Sequence, residues 1–195
     1  MKEILSSDSP KLTILDVGHG SAAVLVEQSR VAVFDAGRGN HLRRFLKEAG
    51  VSKIDFLILS HADFDHIGGA ISVLLDQEIE VSTVFINPDP TKKSKASFKQ
   101  FQAAVGEATR LQDTALEVQL TVEVTEKFSG GEVEIEVVYP SALRALGGVG
   151  GISENGAPLT SNSLSAALLL SYAGEGVFER ELLIEHLLKL LSSSV

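Results

Sequence analysis

Apolar residues in the first third of the chain fall into short runs broken by Gly, Ser and Asp, and the spacing becomes helical between those runs. Residues 12–16, 22–28 and 31–35 are predicted strands, joined by turns at Gly18-His-Gly20-Ser21 and Gln28-Ser-Arg30. A helix is predicted over about 41–49, with Asn40 as N-cap and Gly50 as its stop. The wholly apolar run Phe56-Leu-Ile-Leu59 marks a buried strand over 54–60. A helix near 68–77 and a strand near 81–87 follow, closed by Asn87-Pro-Asp-Pro90. Ser94 or Ser97 then caps a helix to about 110, whose Phe98, Phe101, Val105 and Ala108 recur at core spacing. Residues 116–125 and 132–139 alternate polar and apolar as half-exposed strands do, with Lys127 to Gly131 as their hairpin turn. Residues 141–163 are rich in Gly and Ser and lack periodicity, the mark of a functional lid or a disordered loop. A strand over 164–172 and a Leu-rich helix over about 177–191 complete the pattern. Strands alternating with helices predict one layered α/β domain spanning 1–195.

Composition narrows the chemistry. The chain has no cysteine, so thiolate metal sites and disulfides are excluded and any metal must be held by His, Asp, Glu or backbone. A formal net charge of −9 argues against sequence-independent nucleic-acid binding over the whole surface. It leaves a nucleic-acid or nucleotide substrate open, because bound divalent ions would reverse the sign locally. The one basic cluster, Lys92, Lys93, Lys95 and Lys99, reads as a solvated loop-to-helix segment, with a phosphate contact as the alternative. Met1-Lys-Glu-Ile-Leu-Ser-Ser-Asp lacks the apolar core of a secretory signal, and no apolar run reaches the length of a membrane span, so a cytoplasmic location is expected.

The candidate chemistry lies in His61-Ala-Asp63-Phe-Asp65-His66-Ile-Gly68-Gly69, directly after the buried strand. In an extended turn, residues two apart project to the same side, so His61 and Asp63 address one ion, and Asp65 and His66 reach a second. Imidazole and carboxylate donors suit Zn²⁺, with Mn²⁺ or Fe as competitors. The alternative is a polar turn whose His and Asp cap the next helix. Gly68 and Gly69 are expected to let the backbone approach the ions closely.

This run resembles the H-x-[HD]-x-D-H signature of the metallo-β-lactamase superfamily, and the form with Asp in third place is similar to the hydrolase domain of ComEC-type competence proteins and their stand-alone relatives. Leu15-Asp16-Val17-Gly18-His19-Gly20-Ser21 resembles the opening motif of that subfamily, Val33-Phe34-Asp35-Ala36-Gly37 its second-hairpin D-x-G, and Ser161-Asn162-Ser163-Leu164 its N-x-S-L segment. The resemblance covers about residues 11–173 and implies an αββα sandwich, altered or truncated at its C-terminal end. It implies that His61 and Asp63 hold one ion and Asp65 and His66 another, and that Asp65 also orients the attacking water. Asp35 would orient the ligand loop from beneath, with a turn carboxylate as the plain alternative. Asp16, His19 and Asn162 would lie near the cleft, as substrate contacts or behind the ligands.

The chain departs from that pattern in one respect. The family takes a bridging Asp from a late strand and a further His from a loop after it, whereas the last aspartate here is Asp113. Ser171-Tyr-Ala-Gly174 passes directly into Glu175, as though the Asp-bearing strand were lost and the following helix kept. The late candidates are His186, which fits a helix surface better, and Glu154 or Glu175. Two functions follow. One is a metal-dependent hydrolase, with one or two ions, acting by resemblance on phosphodiesters of nucleic acid or nucleotides. The other is a catalytically degenerate module whose amphipathic helix 177–191 docks on a protein partner.

Overall fold

The computed structural model describes residues 9–28, 30–153, 156–173 and 179–183. Six strands form the larger sheet in sequence order: β1 (Lys11–Ile14), β2 (Ala22–Val26), β3 (Val31–Ala36), β4 (Lys53–Leu59), β5 (Glu80–Ile86) and β6 (Ala115–Glu117). The first three pair antiparallel and β3 through β6 pair parallel. Helices α1 (His41–Ala49), α2 (Phe64–Leu74) and α3 (Ala96–Gln112) make the parallel crossovers. A smaller antiparallel sheet holds β7 (Glu134–Tyr139), β8 (Ala167–Ala173) and β9 (Glu179–Leu183).

The layers follow from which faces are apolar. β2 and β3 are buried at every position because each faces two cores. One core lies under the helices, where Leu42, Leu46, Ile67 and Phe101 pack on Val33, Leu57 and Val84. The other lies between the sheets, where Ala23, Leu25, Phe34 and Ile58 meet Ile135, Val137, Leu168 and Leu170. Phe56, Phe85 and Phe128 form an edge-on aromatic cluster there, with centroids 4.8–6.1 Å apart. Three layers of the expected sandwich are thus in place. Among the described residues no helix packs on the outer face of the smaller sheet, and none is long and apolar enough to cross a membrane.

Several expectations need correction. The alternating stretch 116–125 leaves the sheet after Glu117 and closes as a 3-10 helix at Val122–Phe128. The cause is a side-chain clamp: Asn87 accepts from the Leu120 amide at 2.8 Å and donates to its carbonyl at 2.8 Å, replacing ladder bonds. Hence Lys127 to Gly131 is no hairpin turn, and β7 pairs with β8 instead. Neither Ser94 nor Ser97 caps α3; its N-cap is Lys95, with no side-chain bond. Asn40, likewise, makes no capping hydrogen bond, although Gly50 does end α1 in the left-handed conformation. In the predicted helix 177–191, residues 179–183 instead pair with β8, where the open strand edge offers backbone partners that override local helix preference. The remainder of that segment, with His186, lies outside the described residues, as do Glu154 and Glu175.

The last correction concerns where the site helix begins. α2 starts at Phe64, because the His66 and Ile67 amides both donate to the Asp63 carbonyl, at 2.9 and 3.0 Å. Gly68 and Gly69 therefore sit inside the helix, and they serve packing rather than approach to an ion. A Cβ on Gly69 would lie 2.1 Å from the Ala36 carbonyl oxygen, whereas one on Gly68 would meet only the ring of Phe64, at 2.8 Å. Phe64 is 43% exposed and free to turn aside; the β3 backbone is not. The two glycines should thus respond oppositely to alanine. Gly68→Ala is expected to stay within about 1 kcal/mol of the parent, since helix propensity offsets the ring's displacement. Gly69→Ala is expected to cost about 3 kcal/mol by pushing α2 off β3. Urea titration of both variants checks this, and equal midpoints would show that the clash does not govern.

Candidate metal centre

The site forms where β4 ends and α2 begins. His61 follows the last buried residues of β4, Asp63 is the N-cap of α2, and Asp65 and His66 occupy its first turn. The loop of Leu15 to Ser21 crosses above: a Cβ on Gly20 would fall 1.9 Å from the Asp65 carbonyl oxygen, so only glycine fits there.

Each imidazole is fixed through its Nδ1. His61 Nδ1 lies 3.0 Å from the Ser60 hydroxyl and 3.1 Å from the Ser165 hydroxyl, which approaches from the edge of the second sheet. His66 Nδ1 bonds Asp35 at 2.6 Å. Asp35 is buried and also accepts from the Ser60 amide at 2.8 Å and the Ser60 hydroxyl at 2.9 Å. Its backbone adopts φ 55°, a left-handed conformation that an Asp tolerates and that these bonds hold in place. Asp35 is therefore hydrogen-bonded to both Ser60 and His66, at either end of the candidate run. Burial pulls the His66 pKa down, but the charge and hydrogen bond of Asp35, with Asp65 and Asp63 adding, outweigh it and hold the pKa above its ordinary value.

The opposite edge of His61 faces a carboxylate: Nε2 and the Asp63 Oδ2 are 3.6 Å apart. That is long for a hydrogen bond. It is close to the edge of a tetrahedral zinc, whose bonds of about 2.0–2.2 Å set neighbouring ligand atoms roughly 3.3–3.5 Å apart. The donor chemistry and the tethered Nδ1 atoms fit a zinc-type ion held by His61 and Asp63, since ligating histidines characteristically bond a protein partner through the second nitrogen. The rings of His61 and His66 lie with centroids 3.9 Å apart, tilted by 47°. Even so, no three His, Asp or Glu side chains converge to enclose a metal among the described residues.

The other expected site residues are scattered. Asp16 is exposed and turns its carboxylate onto the Gly18 amide at 3.1 Å, closing its own loop. His19 and Asn162 are exposed. Asn162 lies in a short 3-10 turn, and it is its neighbours Ser161 and Leu164 that line the adjoining cleft. Sequence reasoning missed four contributors. Ser60 and Ser165 hold His61. Lys92 pairs with the Asp63 Oδ1, so the basic cluster has one member at the site. Asp89, buried in what looked like a turn closing β5, accepts from Ser161 at 2.5 Å and from the Thr91 amide and hydroxyl at 2.9 and 2.6 Å. Only Ser60, adjacent to His61, carried a signal in the sequence.

The chain thus combines a two-sheet α/β scaffold with histidine and aspartate gathered at a strand-to-helix junction. Residues 15–157 match the model of the metallo-beta-lactamase superfamily, and the chain belongs to that superfamily. No curated protein matches the chain. Among solved structures, the chain is similar to a Thermotoga maritima protein provisionally assigned as a metallo-beta-lactamase, at 12% identity and a TM-score of 0.47, covering 89% of this chain and 77% of that one. It is also similar to the metallo-beta-lactamase fold protein YhfI from Bacillus subtilis, at 16% identity and a TM-score of 0.45, covering 84% of this chain and 58% of YhfI.

Proposed function

We propose that the protein is a metal-dependent hydrolase of phosphodiester bonds, similar in its site to the ComEC-like branch of the superfamily. The observation that carries the reading is the facing pair of His61 Nε2 and Asp63 Oδ2, 3.6 Å apart, with the rest of each side chain already fixed by protein. A bound Zn²⁺, Mn²⁺ or Fe ion would supply Lewis-acid chemistry, lowering the pKa of water and neutralising charge that develops on a phosphoryl oxygen. Ser60 and Ser165 hold the His61 ring in place, Asp35 holds that of His66, and Lys92 anchors the far oxygen of Asp63. The Lys92 ammonium also gives the site a fixed positive charge that an anionic phosphodiester would meet. Asp65, in the first turn of α2, would accept the proton of the attacking water.

The lack of a third converging donor among the described residues favours a second reading, a degenerate member with a binding role. Titration of chelator-stripped protein with Zn²⁺ and Mn²⁺, paired with turnover of bis-p-nitrophenyl phosphate, separates the two. The hydrolase should take up one ion tightly and a second only at much higher concentration, because among the described residues no late aspartate bridges. Asp65→Asn should remove turnover while leaving circular dichroism unchanged, since the amide keeps the shape but loses the charge that accepts a proton. Metal uptake with no turnover by the parent protein would leave the binding module as the better description.

A further inference from the structure

We propose that the cleft beside His61 receives a hydrocarbon chain, so that the substrate is a phosphodiester esterified to an alkyl or acyl-bearing alcohol rather than a nucleic-acid strand. The proposal rests on the hydrolase reading above and names its substrate class.

The cleft has a volume of about 800 Å³, large enough for a small-molecule ligand. His61 lies in its wall and faces Asp63 at 3.6 Å, so the cleft adjoins the candidate reaction centre through this one residue. A short helix, α4 (Ala142–Leu146), forms one side within the stretch 141–163, for which the sequence left a functional lid or a disordered loop open. Its Leu143 and Leu146 are 77% and 82% exposed, and both line the cleft with Val118 and Leu164. Leucines presented to solvent at a cleft of this kind mark a place where apolar surface is to be covered.

Charge decides what covers it. A nucleic-acid strand needs a cation for its phosphates or aromatic faces for its bases. Among the described residues, the lining includes no Lys, Arg, Phe, Tyr or Trp, and its one ring is that of His61. Its one carboxylate, Asp89, is buried and already bonded to Ser161 and Thr91, and its negative charge would repel a phosphate. Two cations lie close by but outside the lining: Lys92 is paired with Asp63, and Arg144 of α4 is turned onto the Tyr139 hydroxyl. The site is therefore divided: an anionic head is served at His61, Asp63 and Lys92, and an uncharged apolar tail along α4.

Calorimetric titration of the Zn²⁺-loaded protein with octylphosphonate and methylphosphonate tests this without turnover. Octylphosphonate is expected to bind at least ten-fold more tightly, and Leu143→Gln combined with Leu146→Gln, which removes the apolar surface without adding charge, should erase that margin while leaving methylphosphonate unchanged. Both leucines are solvent-facing, so the variant should keep its fold. Equal affinity for the two phosphonates overturns the proposal, as does a margin that survives in the variant, or displacement of octylphosphonate by a single-stranded DNA dodecamer. Release of p-nitrophenol from methyl and octyl p-nitrophenyl phosphate reports separately on the hydrolase reading. No release with the ten-fold margin intact would remove the hydrolase and keep the chain-binding cleft; release at equal efficiency for both esters would keep the hydrolase and remove the cleft's role.

Discussion

Replacing His61 and His66 together by alanine is expected to abolish binding of transition metal ions. His61 supplies the imidazole edge that faces Asp63 at 3.6 Å, and His66 is held by Asp35 in contact with the His61 ring. Without them, only carboxylates remain in the run, and oxygen donors alone suit Mg²⁺ or Ca²⁺ better than zinc. The change also empties buried volume, because His61 is only 6% exposed, so some loss of stability would follow whether or not a metal binds. The decisive readout is therefore the difference between melting with ion and with chelator, taken for each protein separately. In the parent, free ion at a hundred times its dissociation constant should stabilise the fold by about 2.7 kcal/mol. In the double variant that increment should fall to zero. An increment that persists would show that the ion is bound elsewhere and that the histidines serve the fold alone.

Arg30→Met is expected to be the most damaging single change outside the site. Glu27, at the end of β2, has a fully buried side chain. It receives the Arg30 guanidinium on one oxygen and the Val133 amide, at 2.7 Å, on the other. The same guanidinium donates to the Phe128 and Val133 carbonyls and lies 6.0 Å over the Phe56 ring. This cluster ties the β2–β3 hairpin to the second sheet. Removing the cation leaves a buried carboxylate and two carbonyls without their partner, a loss of about 3–5 kcal/mol. Melting should fall by roughly 10 °C or more for a chain of this size. Adding Glu27→Leu to Arg30→Met should recover much of the loss, because an apolar pair of similar volume has no charge to desolvate. A single variant that melts with the parent would show that water reaches the pair and screens it.

The local pattern was informative wherever burial repeats with the period of an element. β2, β3, β4 and β5, with α1 and α3, stand within a few residues of where their apolar spacing placed them. The density of donors in His61 to His66 singled out the candidate metal site with no help from the fold. The spacing misled at 116–125, where one distant side chain, Asn87, took the backbone bonds that a strand would have used. It misled again at 179–183, where the edge of β8 captured residues that read as helix.

What the sequence by itself determined was the layered class of fold, most strands of its larger sheet and the four residues offered to an ion. Only the tertiary structure decided which of these donors face one another and what holds them. Asp35 reaches Ser60 across 25 positions, Ser165 reaches His61 across 104, and Glu27 reaches Val133 across 106. A periodic pattern records which face of an element is buried, because burial is a property of each residue in its own segment. It does not record which distant segment arrives at that face. That pairing is fixed by how the sheets and helices close on each other, and it set the Lys92–Asp63 contact and the apolar cleft beside His61.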